Sequence, residues 1–338
     1  MFVFFLFMER QVVLLEDLIE VFRQELGHVL EDVDQPGPGR PPVYPADGMF
    51  LCWLLLYLGI ADSQRRLIQL LAQHSEWRKR LGFAEQIPDQ STFSWFKNHR
   101  ANHVFERVFD EAVRRLVEAG VIKGEHLVVD ASLFQAYSNP RKKGESGEAS
   151  DSDATWAKET STVQWIYGYK LHVVSCVDSE LPIALTVTTG KRNDSPFFPQ
   201  LLRKASCFPI PIRVVGADGN YHSAENHLEA YRLGTCTVIP LPDRRHQEPR
   251  SLAQRLRLHP VIKRGSELYQ RLKRKRQSIE RVFSRLKSHF NLSSLRVRGL
   301  ARVKQHALLS LTSMLIYALT AAKRGLENLI RSPTRLTA

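Results

Sequence analysis

Two stretches of this chain carry an apolar, β-branched run to a carboxylate: His126-Leu127-Val128-Val129-Asp130 and Arg213-Val214-Val215-Gly216-Ala217-Asp218. A strand that is buried until its last residue and then acidic holds the carboxylate rigidly where a cation or substrate can reach it. Either Asp alone can equally cap the turn that follows. Two of them, on two strands, point to a shared metal site. A third acid, Glu280, falls in a helical stretch where Ile279, Val282, Phe283, Leu286 and Phe290 form one apolar face and Arg276, Glu280 and Lys287 cluster on its flank. Arg276 and Glu280 are also spaced as an ordinary i to i+4 ion pair.

The elements that must position these acids follow from periodicity. A long helix is expected to contain Arg274 to Lys287. Residues 164–177 and 182–188 are β-rich and joined by Asp178-Ser179-Glu180-Leu181, a hairpin connection. With the Asp130 strand they make three successive antiparallel strands. A helix from Pro196 to Lys204, the Asp218 strand, a helix from Ser223 to Leu233 and a short strand from Thr237 to Pro240 then alternate. The expected class is α/β (α+β), a mixed sheet flanked by helices. Asp194, just before Pro196, is either an auxiliary carboxylate or the cap of that helix, the cap being favoured.

Upstream the chain reads as helical. Residues 1–34 hold an amphipathic helix, from Glu9 to Leu30, with Val12, Leu15, Ile19, Phe22 and Leu26 on one face, for packing or dimerisation. Residues 35–47 are a Pro/Gly linker. Residues 48–122 form a helical domain with a buried helix through Leu58, a second from Ser63 to Leu81, and a break at Pro88. After the break Asp89 can cap a helix that exposes Gln90, Ser91, Ser94, Lys97 and Asn98 while Phe93 and Phe96 pack inward. A helix-turn-helix DNA reader presents such a face, and so does any solvated amphipathic helix. Residues 123–325 make the sheet domain and 326–338 a tail.

The apolar runs 49–61 and 307–322 fall short of the roughly 20 residues of a bilayer helix, so both are expected in the core and no membrane partner is expected. The apolar opening of residues 1–7 lacks a basic start and a cleavage site, which leaves Met8 as an alternative first residue. Four cysteines without paired spacing fit a reducing cytoplasm. A net charge of +13 calls for a polyanionic partner, nucleic acid before anionic membrane. From residue 244 to 276 there are twelve Lys or Arg against Glu248 and Glu267, a net of +10. This basic insertion, about 241–276, includes Arg274, Lys275 and Arg276 and is expected to grip phosphates beside Glu280; Lys170 and Lys287 are lesser candidates for the same task.

In this order the pieces resemble the DDE transposases of bacterial insertion sequences, nearest the insertion-sequence four and five groups. The similarity spans about residues 35 to 322 and is carried by Gly39-Arg40-Pro41-Pro42, Pro88-Asp89-Gln90-Ser91-Thr92-Phe93, Asp151-Ser152-Asp153-Ala154, Tyr167-Gly168-Tyr169-Lys170 and Ala217-Asp218-Gly219-Asn220-Tyr221. The resemblance implies an RNase H-like catalytic domain with Asp130, Asp218 and Glu280 as its acids and metal ligands, behind an all-helical DNA-binding region. Arg276, Glu280 and Lys287 fit the family's signature around the Glu, but its Tyr position is Lys273, which leaves that residue's contact with end DNA unassigned. Relatives often carry a His ahead of Asp194, where this chain has Asn193.

Phosphodiester cleavage requires charge stabilisation on the entering and leaving oxygens, which two Mg²⁺ ions about 3.5–4 Å apart supply, with Mn²⁺ as a substitute. On this reading Asp130 bridges the ions and Asp218 and Glu280 each complete one shell. The implied partners are double-stranded DNA, as terminal inverted repeats and as target, and a second copy of the chain on paired ends. The implied place is the bacterial cytoplasm, at the nucleoid. Two rivals remain: a catalytically inactive transposase-derived DNA-binding protein, and an RNase H-like nuclease that cuts without strand transfer.

Overall fold

The run that carries Asp130 forms the middle of a six-stranded sheet. In chain order its strands are β1 (His126–Gln135), β2 (Thr155–Lys158), β3 (Trp165–Cys176), β4 (Pro182–Thr189), β5 (Val214–Ala217) and β6 (Cys236–Val238). β3 lies antiparallel to β1 on one side, and β5 lies parallel to it on the other. β4 pairs antiparallel with β3 through Tyr169–Ser175, β2 pairs with the outer end of β3 through Trp165–Gly168, and β6 runs parallel to β5. The order β4-β3-β1-β5-β6, three antiparallel strands and then two parallel ones, makes the expected mixed sheet. This computed structural model describes residues 12–35, 42–83, 86–101, 103–138, 149–159, 164–242 and 248–337.

The helices used below are α1 (Leu15–Leu26), α2 (Ala46–Tyr57), α3 (Gln64–Gln73), α4 (Gln90–Trp95), α5 (Phe105–Glu118), α6 (Phe198–Ser206), α7 (Ala224–Arg232), α8 (Leu252–Leu258), α9 (Glu267–Lys275), α10 (Ser278–His289) and α11 (Leu300–Lys323). α11 is long and apolar enough to cross a bilayer by composition, but 89% of its most apolar window is buried inside the protein. It is the central core helix, packed against α1, α2, α5 and β4. One continuous apolar cluster runs from Val13 to Leu329. Its members lie on both sides of the boundaries expected at 35–47 and near 122.

Several of the family-like motifs are scaffold. Asp153 Oδ2 accepts the Leu300 N–H at 2.8 Å, so it caps α11. Asp151 Oδ1 accepts the Gly299 N–H at 3.2 Å and the Tyr169 hydroxyl at 2.8 Å, and the Asp151 carbonyl accepts the Tyr167 hydroxyl at 2.7 Å. Between those tyrosines Gly168 is required by space, because a Cβ there would stand 2.1 Å from the Phe134 carbonyl oxygen. The Tyr-Gly-Tyr and Asp-Ser-Asp pieces thus clamp the start of the core helix to the sheet.

Four expectations change. The amphipathic start of the chain forms α1 only from Leu15, and the expected part up to Gln11 lies outside the described residues. Its apolar face packs within the chain, Phe22 stacking on Phe50, while Arg324 pairs with Asp17 and Glu20 and Lys323 with Glu25. The helix expected over Ser63 to Leu81 divides at His74, whose extended ψ of 91° ends α3. The long helix expected through Arg274–Lys287 divides into α9 and α10, with tightened i to i+3 bonds at Arg276, Gln277 and Ile279. Four successive cations, Lys273 to Arg276, repel one another along a regular helix, and Arg276 is drawn out of register towards two carboxylates. The expected tail is docked: Leu336–Thr337 pairs in parallel with Val13–Leu14.

Candidate active site

Asp130 is not at the end of its strand. β1 continues to Gln135 on β3, but its pairing with β5 stops at Val129–Ala217, so Asp130 and Asp218 follow side by side where the two parallel strands part. Asp218 turns into a short 3-10 segment, Gly219–Tyr221, and caps it, Oδ1 accepting the Asn220 N–H and Oδ2 the Asn220 side-chain amide, both at 3.0 Å. Capping and site-forming are here one geometry.

Glu280 lies in the first turn of α10, which packs on β1 through Ile279, Val282, Phe283 and Leu286. Its side chain is 59% exposed, at the rim of the site. Arg276, at the break between α9 and α10, links the acids: Nη1 donates to Asp130 Oδ2 at 3.1 Å and Nη2 donates to Glu280 Oε1 at 3.1 Å. The expected i to i+4 pair exists, and it is half of a fork whose other prong reaches the sheet.

Burial pushes the Asp130 carboxyl up to about 7; the negative charges of Asp218 and Asp194 push the same way, against the pull of the Ala131 N–H and of Arg276. Burial also raises Asp218, opposed by the Asn220 N–H and Arg276 and assisted by Asp194. The Tyr221 hydroxyl, buried and without a hydrogen-bond partner among the described residues, is raised well above its ordinary value by burial and by Asp130, Asp194 and Asp218. Carboxylates from three separate segments therefore share one field.

Asp194 makes no side-chain cap to the turn after it, contrary to the favoured sequence reading. Its Oδ1 pairs instead with Lys170 Nζ at 2.7 Å and lies 3.8 Å from His172 Nδ1. His172, fully buried, is held down to about 3 by burial and by Lys170, so it is neutral. Lys170 is thus tied to an acid at the edge of the site and also donates to the Arg192 carbonyl at 2.9 Å.

The donor set is all carboxylate oxygen, which suits a hard divalent cation such as Mg²⁺ or Mn²⁺. Two half-buried carboxyls pushed towards neutrality by desolvation and by like charge form a place that an added cation stabilises. The residues fit a metal in this chemical sense. Among the described residues no three His, Cys, Asp or Glu side chains are already arranged to hold one. The Arg276 guanidinium is the cation between Asp130 and Glu280.

The remaining candidates separate into three groups. Lys273, Arg274 and Lys275 stand exposed at the end of α9 and make no ion pair among the described residues, and neither does half-exposed Lys287. Arg244 and Arg245 lie outside the described residues. Arg257 and Arg264 turn inward, Arg257 Nε donating to His222 Nδ1 at 3.1 Å and Arg264 donating to the carbonyls of Leu258 and Arg257 at 2.7 Å; they staple the basic insertion to the fold.

On α4, Gln90 and Ser91 are exposed, Ser94 is half-buried, and the Asp89 cap accepts the Thr92 N–H at 2.6 Å as expected. Lys97 is not on the exposed face. It is 5% exposed, with Nζ 4.3 Å from the centre of the Trp53 ring. The helix opens into a π turn over Phe96–Arg100, and Lys97, four residues after inward-facing Phe93, follows it into the interior. That spacing was the available signal. Sequence reasoning missed Trp95, which is 57% exposed, and Tyr221, whose only signal was its place three residues after Asp218.

The family described as "Transposase DDE domain" matches residues 122–316, and a second, described as "Transposase domain", matches residues 6–99. Among solved structures the chain is similar to a piggyBac transposase in a synaptic complex with hairpin DNA, at 10% identity and a TM-score of 0.40, over 94% of this chain and 78% of that one. It is also similar to a Drosophila P element transposase in a strand transfer complex, at 12% identity and a TM-score of 0.27, over 93% and 65% of the two chains.

Proposed function

This chain belongs to the transposases with a DDE domain, and from that premise we propose that Asp130, Asp218 and Glu280 are the acids with which it cuts and rejoins DNA. The family's chemistry is DNA cleavage and strand transfer and depends on a divalent metal. The observation that supports this assignment is the fork of Arg276, which holds Asp130 of the sheet and Glu280 of α10 on one guanidinium while Asp218 ends the neighbouring strand.

The three acids would hold two Mg²⁺ ions, which when bound supply charge neutralisation at the phosphate and acidify the attacking water or 3′-hydroxyl. The protein's own part is placement. β1 and β5 fix Asp130 and Asp218 by backbone pairing, and α10 carries Glu280 against them through its buried face. Arg276 holds the acids together through charge until DNA and metal arrive. The exposed cations Lys273, Arg274 and Lys275, with Lys287, engage backbone phosphates of the duplex. Gln90, Ser91 and Ser94 contact the element's ends, and two copies work on paired ends.

The test uses oligonucleotide duplexes carrying the repeats that flank the gene. Asp130→Asn, Asp218→Asn and Glu280→Gln should each reduce Mg²⁺-dependent cleavage and strand transfer to background while duplex binding persists. Retained cutting by any one of them removes that residue from the assignment. Cutting without joining by the unaltered chain would favour the plain nuclease.

A further inference from the structure

A second site shares no residue with the acids. Between α2, α3 and α4 on one side and the segment leading into α11 on the other lies a cleft of about 620 Å³. Four cations line it: Arg65, Lys97, Arg296 and Arg302. None of them pairs with an acid among the described residues, although ion pairs are plentiful elsewhere on the chain. The one carboxylate on the wall, Asp62, accepts the Ser63 hydroxyl at 3.0 Å.

The floor of the cleft is electrostatically incomplete. Lys97 is 5% exposed and packs its ammonium on the Trp53 ring, and Arg302 is close enough to help burial lower its pKa to about 8. Among the described residues two further lining groups are buried without hydrogen-bond partners, the indole N–H of Trp53, a donor, and the Oε1 of Gln64, an acceptor. A buried ammonium in the field of a second cation, with an unused donor nearby, is stabilised when an anion that accepts hydrogen bonds joins them.

We propose that this cleft is a phosphate-binding site, and that its occupant is a backbone phosphate of a DNA strand. A volume of about 620 Å³ lies in the range of small-ligand pockets, enough for one nucleotide unit and too little for a duplex. The amides of Gln90 and Asn98 and the hydroxyl of Ser94 also line it, so the polar face that resembles a major-groove reader turns towards the cleft. The same chemistry would accept free inorganic phosphate, and the test separates the two sources. The inference rests on the chain acting on DNA but not on the acid triad.

The experiment measures binding of a labelled duplex to the full chain across salt concentrations, with Arg302→Gln and Lys97→Met beside the unaltered protein. Arg302→Gln, on the exposed rim, and Lys97→Met should each weaken binding, and the slope of log affinity against log salt should fall by about 0.9 for each phosphate that is no longer neutralised. Unchanged affinity and slope in Arg302→Gln overturn the proposal whether or not Lys97→Met folds. A melting temperature raised by inorganic phosphate in the unaltered chain but not in Arg302→Gln, with DNA binding equal in both, also overturns it, in favour of a free-anion site. An unaltered chain that binds no duplex would instead refute the DNA-acting reading itself.

Discussion

Arg276 Nη1 stands 3.1 Å from Asp130 Oδ2, and this contact joins residues 146 positions apart through the one place where the late helix breaks. The second prong, on Glu280, makes the guanidinium a template for the spacing of two acids. A planar fork can do this and an ammonium cannot. Arg276→Gln should therefore lower cleavage by about 10–100-fold, the usual cost of losing a residue that orients ligating groups. Arg276→Lys should recover only part of it. Full recovery by Lys in a single-turnover assay would show that charge alone matters.

Activity and stability should part company at Asp130. Burial and the charges of Asp218 and Asp194 disfavour its ionised form, so the neutral amide of Asp130→Asn removes a repulsion while its oxygen can still accept the Ala131 N–H. The melting temperature in chelator should be equal to or higher than that of the unaltered chain, with cleavage at background. A clear fall in melting temperature would mean that the carboxylate is a structural acceptor.

Asp194 and Lys170 should behave as a unit. Their pair at 2.7 Å stands beside the acid cluster, so removing either partner should cost about tenfold in cleavage. Asp194→Asn and Lys170→Met together should cost little more than either alone, because both break the same ion pair. Additive losses in the double-mutant cycle would separate their roles, and a loss by Asp194→Asn alone as complete as that of Asp130→Asn would make Asp194 a fourth acid.

The local pattern of a β-branched run ending in acid held for Asp218, which follows the strand ending at Ala217, but not for Asp130, whose strand continues to Gln135 because its pairing with β3 outlasts its pairing with β5. The three antiparallel strands were legible as successive apolar runs with short connections, whereas the strand Thr155–Lys158 and the parallel pairing of β5 with β1 were not. The break at Arg276 was not legible, because it depends on Asp130, a partner that no local window contains. Asp194 misled because Pro196 makes a cap plausible locally, while Lys170 on β3 decides otherwise. Lys97 misled because a charged residue on an amphipathic helix is usually outside, and only the Trp53 ring and the π turn explain its burial.

The exposed cations and the polar face of α4 should fail in different ways. Neutralising Lys273, Arg274 and Lys275 together should weaken binding to specific and random duplexes alike, with the salt slope falling by about 0.9 per phosphate released. Replacing Gln90, Ser91 and Ser94 by Ala should reduce preference for the element's own ends. The ratio of specific to random affinity across salt concentrations decides between them. A ratio changed by the first set and untouched by the second would reverse the assignment.

The last prediction concerns His306, which locks α11 to α2. The Leu292 carbonyl can only accept, so Nε2 carries the proton and donates at 3.0 Å; Nδ1 then accepts the Tyr57 hydroxyl at 2.7 Å. The imidazole is therefore neutral, and burial holds its pKa down to about 4 against an ordinary value near 6.5. Between those values the unfolded chain takes up a proton that the folded chain refuses. Its contribution is complete above about pH 6.5, falls as pH drops towards 4 and is flat below, with up to about 3 kcal/mol at stake. His126, lowered to about 4, and His172 and His227, lowered to about 3, add to the same acid loss. The measurement is thus a difference: urea unfolding of the unaltered chain and of His306→Gln in chelator from pH 7.5 to 4.5. The Gln variant should be less stable at pH 7.5 and should converge on the unaltered chain as pH falls, because it has no proton to gain. Parallel curves across that range would show that His306 is not held neutral by the fold.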